Sequence, residues 1–241
     1  MVKTLLAKRS PLRILEDSTH GGPGPGAIAV LASPKGVGKT ACLVHIATEK
    51  LFQGKPVIHV SYASRVDHII TWYEDIFKEI ARRRRLRNVH AVHEETIRKR
   101  VIMNFKQDGM RTEQVLRSVE AMITFGKFAA ETVIVDGYDF GLAAPSDLRK
   151  FKEFARRMNL ALWFSASLRD SEGPLYDEDG TPCLLKAHRD GLDVIITLHA
   201  RGDHVELRVV KDHDHPAAGV LPLKLDPRTL LIARDGPKRP A

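Results

Sequence analysis

The sequence predicts a three-layer α/β/α fold, in which a mostly parallel central sheet lies between two layers of helices and ends in antiparallel hairpin strands. Two patterns predict this fold. Over the first two thirds of the chain, short apolar runs alternate with segments whose apolar residues recur at helical spacing, which is typical of right-handed βαβ units. In the last third, three short runs at 193–199, 204–211 and 220–225 have no helical pattern between them, which indicates antiparallel strands.

The elements follow from these patterns in chain order. Apolar runs without polar alternation are typical of strands buried on both faces, and helical periodicity marks helices that cover them. The predicted elements are a strand at 27–32, a helix at 39–53, a strand at 57–61, a helix at 66–80, a strand at 101–105, a helix at 112–125, a strand at 132–136, a helix capped by Ser146, a strand at 160–165 and a polar segment at 168–191.

The strongest motif joins the first predicted strand to the first predicted helix. Residues 33–40 read Ser-Pro-Lys-Gly-Val-Gly-Lys-Thr, which is the P-loop pattern with Ser in place of the leading Gly. In such a loop, backbone N–H groups converge on phosphate at the positive end of a helix. The predicted phosphate-binding residues are Ser33, Pro34, Lys35, Gly36, Val37, Gly38, Lys39, Thr40 and Ala41.

This motif predicts ATP and Mg²⁺ as the bound cofactors. Lys39 is expected to reach the β- and γ-phosphates as a point charge, and the Thr40 hydroxyl to coordinate the metal ion. A second metal contact is expected from Asp136, which ends the apolar run 132–136 where a Walker B aspartate would stand. The sequence has no Asn-Lys-x-Asp motif for reading guanine, which mildly favours adenine.

The remaining candidate site residues lie at the predicted carboxyl ends of strands. In a parallel sheet with helices on both faces, ligands bind outside these ends. We therefore expect residues 33–40, residues 61–64, Asp136 and Ser167 to converge on one edge of the sheet.

Composition limits the choice of function. The net charge is +8, and 11 − 4 = +7 of it comes from residues 82–117. Such a patch suits nucleic acid or an acidic partner, but no aromatic residues are interleaved in 82–87, which favours a solvated helix end. The basic start of the chain has no long apolar run, and no later segment is long and apolar enough for a membrane span, so we expect a cytoplasmic protein. Cys42 and Cys183 have no disulfide or metal spacing.

On these motifs the chain resembles the RecA-like ATPases, in the branch that holds KaiC, RadA and DnaB. The resemblance rests on the Gly- and Pro-rich lead-in at 21–26, the P-loop, the strand at 57–61, Asp136, and the late segment Val-Val-Lys-Asp-His at 209–213. It implies a basic N-terminal extension at 1–20, a RecA-like ATPase domain at 21–232 and a loose basic tail at 233–241. It also implies an oligomer in which Lys211 serves the nucleotide of a neighbouring subunit.

The chain departs from that branch at three positions. The branch usually carries a glutamate just after the second strand as the general base, and Ala63 stands there in this sequence. Asp67 is the nearest carboxylate, and also suits the acidic first turn of a helix. Ser167 stands at the polar sensor position, and His213 replaces the arginine of a Lys-x-Arg finger. Because loss of a general base costs about 10² to 10⁴ in rate, we expect ATP binding with slow hydrolysis.

Several alternatives remain open. One is an ATP-binding scaffold that recruits a protein partner, and another is a nucleic-acid-associated ATPase that uses the arginines at 82–87 and 98–100. The P-loop also echoes the ParA and MinD ATPases, although its signature-lysine spacing is one residue short. Asp212 to His215, and His90 with His93 and Glu94, contain metal-ligand types, but surface loops explain both groups without a metal.

Overall fold

The computed structural model of the chain describes residues 10–62, 66–105, 112–169 and 173–235. Within these residues one nine-stranded sheet is formed, with the strands β1 (Ile28–Pro34), β2 (Val57–Ser61), β3 (Arg100–Asn104), β4 (Thr132–Asp136), β5 (Ala161–Leu168), β6 (Val194–Arg201), β7 (His204–Asp212), β8 (Gly219–Asp226) and β9 (Leu231–Arg234). Their order is β3-β2-β4-β5-β1-β6-β7-β8-β9. The first six strands in this order pair in parallel, and β6 to β9 pair in antiparallel fashion, as the sequence predicts.

Helices cover both faces of the sheet. The described helices are α1 (Leu12–Asp17), α2 (Lys39–Phe52), α3 (Val66–Arg84), α4 (Val89–Arg98), α5 (Thr112–Thr124), α6 (Pro145–Met158) and a 3₁₀ helix (Cys183–Gly191). One apolar cluster joins α1, α2 and α3 to one face, and a second joins α5, α6 and the 3₁₀ helix to the other. The three-layer α/β/α prediction is therefore confirmed.

Two inner strands fall where the sequence places them. Every residue of β2 and of β4 is buried, because each strand pairs on both sides and is covered on both faces. An uninterrupted apolar run is the sequence signature of such a strand. This burial fixes the position of Asp136, the last residue of β4, at the carboxyl edge of the sheet.

The start of α6 differs from the expectation. The helix begins at Pro145, so Ser146 lies inside its first turn and the predicted Ser146 cap is wrong. Proline suits this position because its fixed φ matches the helix and the N–H that it lacks would be unpaired there. The N–H of Ala144 instead donates to Asp147 Oδ2 at 3.3 Å.

Both ends of the described chain hold structure that the sequence pattern did not reveal. Helix α1 lies within the expected extension at 1–20 and buries Leu12 and Leu15. Strand β9 pairs with β8 and extends to Arg234, so the expected loose tail at 233–241 starts too early. Residues 236–241 lie outside the described residues.

Candidate functional site

The P-loop connects β1 to α2 at the carboxyl edge of the sheet. Gly36 and Gly38 have φ of +84° and +114°, a region that L-residues with side chains rarely adopt. A Cβ added to Gly38 would lie 2.4 Å from Leu225 Cδ2, so the late strand β8 packs directly on the loop backbone. Glycine at position 38 is therefore required by backbone conformation and by packing. No atom lies within 4 Å of a Cβ built on Gly36.

The Lys39 side chain is held inside the turn. Its exposed fraction is 8%, and Nζ donates to the carbonyl oxygens of Ser33 (3.0 Å) and Pro34 (2.9 Å) and to Ser33 Oγ (3.3 Å). Burial lowers the pKa of the Lys39 ammonium to about 8, and the nearby Asp136 carboxylate opposes that shift. A buried ammonium surrounded by neutral oxygens is a cation without full charge compensation, which phosphate oxygens would supply.

A hydrogen-bonded cluster links the start of α2 to the ends of β4 and β5. The Thr40 hydroxyl donates to Asp136 Oδ2 at 2.9 Å, and the Ser165 hydroxyl donates to Asp136 Oδ1 at 2.7 Å. Ser165 Oγ also accepts the N–H of Gly137 at 2.8 Å. The Asp136 carboxylate is 7% exposed, so these two hydroxyl donors fix its orientation.

Sequence reasoning missed Ser165. It lies inside an apolar run, where a serine reads as a small core residue. Its signal is the spacing to Ser167: residues two apart on a strand point to the same face, and the second member is a candidate site residue. Ser165 is buried, whereas Ser167 is exposed.

Strand register brings several predicted residues to the same edge. Ser33 lies opposite Ser167 on β1 and β5, and Ser61 lies opposite Asp136 on β2 and β4. With Lys39 and Thr40 at the start of α2, these positions form one contiguous region at the carboxyl ends of the parallel strands.

The predicted general-base position cannot be placed, since Ala63 lies outside the described residues. Asp67 occupies the first turn of α3, and it is exposed. Its location near the helix N-terminus fits the role of an acidic first-turn residue as well as that of a replacement base.

Lys211 lies away from the P-loop in the same chain. It is opposite Ile195, which pairs with Val30 near the amino end of β1, whereas the P-loop follows the carboxyl end. The Lys211 Nζ donates to the carbonyl oxygens of Arg189 (2.8 Å) and Leu192, at the end of the 3₁₀ helix. Burial lowers the pKa of this ammonium, and Asp193 opposes the shift.

The basic patch is largely paired within the chain. Arg82 and Arg83 contact Glu79, both at 2.7 Å, and Arg84 forms an ion pair with the buried Glu49. Arg100 stacks over the ring of Tyr73 at 4.3 Å from its centroid. These contacts favour the solvated-helix interpretation over a nucleic-acid surface.

The histidine groups are also paired. Asp212 is buried and contacts His20 Nδ1 at 2.6 Å and His213 Nδ1 at 2.9 Å, and His20 stacks on His215 with ring centroids 3.8 Å apart. Over the described ranges, no group of three or more His, Cys, Asp or Glu side chains is arranged to hold a metal ion. In the same ranges, no helix combines the length and apolarity needed to cross a bilayer.

Comparison with known proteins identifies the fold. No protein-family model and no curated protein matches the sequence. Among solved structures, the ATPase domain of a DnaB-like helicase matches with a TM-score of 0.67 and 16% sequence identity, covering 92% of this chain and 89% of that chain. The chain has a RecA-like P-loop fold. At this identity the likeness establishes the fold alone.

Proposed function

We propose that this chain is a RecA-like ATPase domain that binds ATP with Mg²⁺ at its P-loop and hydrolyses it slowly. The observation that carries the proposal is the cluster of Lys39, Thr40 and Asp136 at the N-terminus of α2, with Thr40 2.9 Å from the aspartate. An ammonium, a hydroxyl and a carboxylate at the positive end of a helix suit a triphosphate with its metal ion.

The residues present fit both groups. Thr40 and Asp136 supply hard oxygen donors that converge on one point, which is the donor type that Mg²⁺ prefers. Magnesium would there neutralise charge that develops on the phosphate oxygens. Lys39 would exchange its carbonyl partners for phosphate oxygens, and the α2 N–H groups would hold the phosphates in place. Ser165 would keep the Asp136 carboxylate oriented.

Slow hydrolysis is inferred from the site that lacks a base. Ala63 has no group that could accept a proton from an attacking water. Positioning and charge compensation by Lys39 and its neighbours would remain, so binding should survive better than turnover. Asp67 as a replacement base and Ser167 as a sensor of the γ-phosphate stay hypotheses of this proposal.

We further infer an oligomeric switch or motor of the KaiC, RadA and DnaB branch, located in the cytoplasm. The support is the late strand that carries Lys211, whose ammonium reaches no phosphate site in its own chain. If turnover is absent while ATP still binds, the favoured function becomes an ATP-binding scaffold that recruits a protein partner.

The test combines binding, turnover and size measurements on the full chain. Calorimetry with ATP and Mg²⁺ should show saturable binding that Lys39→Ala removes and that Lys55→Ala, a half-exposed lysine beyond α2, retains. Phosphate release should be slow, and light scattering should show a larger assembly with ATP and Mg²⁺ than without. Absence of ATP uptake by the wild-type chain would overturn the proposal, and brisk turnover that Lys39→Ala abolishes would show that a base is present.

A further inference from the structure

A second cavity lies beside the edge strand of the sheet. It has a volume of about 250 Å³ and lies between α2, the C-terminal end of α3 and β9. We call it the β9 cavity. Its lining includes His45, Ile80, Arg83, Leu231 and Arg234, and none of the P-loop residues.

His45 presents a buried hydrogen-bond donor at this place. Its side chain is 1% exposed, and its Nδ1 accepts the N–H of Ile232 at 2.9 Å, so the ring proton of the neutral imidazole lies on Nε2. The nearest carboxylate oxygen, Glu49 Oε1, is 3.5 Å from Nε2, and it already pairs with Arg84. Nε2 therefore has no hydrogen-bond partner among the described residues. A buried donor without an acceptor costs about 1–3 kcal/mol, which a bound acceptor would recover.

Arginine side chains add donors and positive charge. Arg83 uses Nε for Glu79 and Nη2 for Asp226 and Thr229, which leaves the N–H groups of Nη1. Arg234 is exposed at the end of β9 and forms no ion pair within the described part of the chain. The neighbouring Asp235 is occupied by Lys224 at 2.9 Å. The carboxylates around the cavity are thus already paired, and its surplus charge is positive.

The apolar part of the lining limits what would fit. Ile80 and Leu231 are buried and give the cavity apolar walls, and its volume is below the roughly 300–1,000 Å³ of sites for drug-sized ligands. We propose that the β9 cavity is a second ligand site, which takes a small oxyanion, a carboxylate or a phosphate carried on a compact apolar body. This proposal does not depend on nucleotide binding at the P-loop.

The test follows the ring nitrogens of His45 by NMR in the full chain, with His45→Gln used for assignment. Benzoate and inorganic phosphate serve as the carboxylate and phosphate probes. We expect a saturable millimolar shift of the His45 signals with at least one probe, unchanged in Lys39→Ala and weakened at least tenfold in Arg234→Glu. Arg228→Glu is the matched control, because this arginine is also exposed, near β9, but lies outside the lining.

Each other result decides against the site. A shift that Lys39→Ala abolishes would assign the probe to the P-loop. Equal weakening by Arg234→Glu and Arg228→Glu would indicate general charge attraction. A shift that grows linearly without saturation, or no shift with either probe, would also overturn the proposal. If Arg234→Glu loses its fold by circular dichroism, Arg234→Gln removes the same charge and provides the same comparison.

Discussion

The buried ammonium of Lys39 should make ATP binding depend on pH above 8. Burial lowers its pKa from the ordinary 10.5 to about 8, so in the nucleotide-free protein the amine loses its charge in a range where a surface lysine keeps it. Bound phosphates would raise that pKa again, because an anion favours the charged form. Binding then takes up a proton above pH 8, and the affinity must fall as pH rises.

The size of the effect follows from the shift. Above the pKa, each pH unit leaves one tenth of the free protein protonated, so raising the pH from 7 to 9.5 should weaken binding about 30-fold, or about 2 kcal/mol. Below pH 8 the affinity should be nearly constant, since the ammonium is then already charged.

The measurement is calorimetric titration of ATP at constant Mg²⁺ and ionic strength between pH 7 and 9.5. Lys39→Arg is the control, because a guanidinium keeps its charge throughout this range and its binding, although weaker, should not bend at pH 8. A wild-type affinity that is constant up to pH 9.5 would refute the reasoning, and so would an equal decline in the arginine variant.

Three further changes test the packing around the site. Ser165→Ala should weaken Mg²⁺-dependent ATP binding roughly fivefold to tenfold in a titration, because one carboxylate oxygen of the metal site loses its donor; an unchanged Mg²⁺ dependence would contradict this role. Gly38→Ala should lower the unfolding free energy by at least about 1 kcal/mol more than Gly36→Ala in urea unfolding, because only its Cβ overlaps Leu225; equal losses would contradict the packing argument. Glu49→Ala should cost about 3 kcal/mol in thermal unfolding, since it strands a buried guanidinium, and a loss below about 1 kcal/mol would show that the pair is solvated.

Much of the fold could be predicted because the inner strands leave a local signature. β2 and β4 are buried over their whole length, and the apolar run in each case has the same bounds as the strand. Elements at the periphery leave less. β9 has four residues and exists through its pairing with β8, and α1 has six residues with two buried leucines. Neither is long enough to show a period.

The site divides in the same way. The P-loop and Asp136 could be predicted because their chemistry is written in contiguous residues. The packing of Leu225 on Gly38, and the hydrogen bond from Ser165 to Asp136, join segments that are distant in sequence. Such contacts follow from sheet order, which places β5 between β1 and β4, and local patterns do not encode that order.

The position of Lys211 constrains the assembly in which it could act. Its ammonium lies toward the amino ends of the parallel strands, while the P-loop lies at their carboxyl ends, so no single surface patch contains both. A two-fold dimer joins one patch to the same patch, and would not bring Lys211 to the P-loop of its partner. A head-to-tail contact would, and repetition of that contact gives a ring or a filament. If Lys211 is catalytic, Lys211→Ala should reduce turnover of an assembly larger than a dimer while ATP binding to the isolated chain is unchanged; full turnover by the variant would leave Lys211 as the residue that caps the 3₁₀ helix.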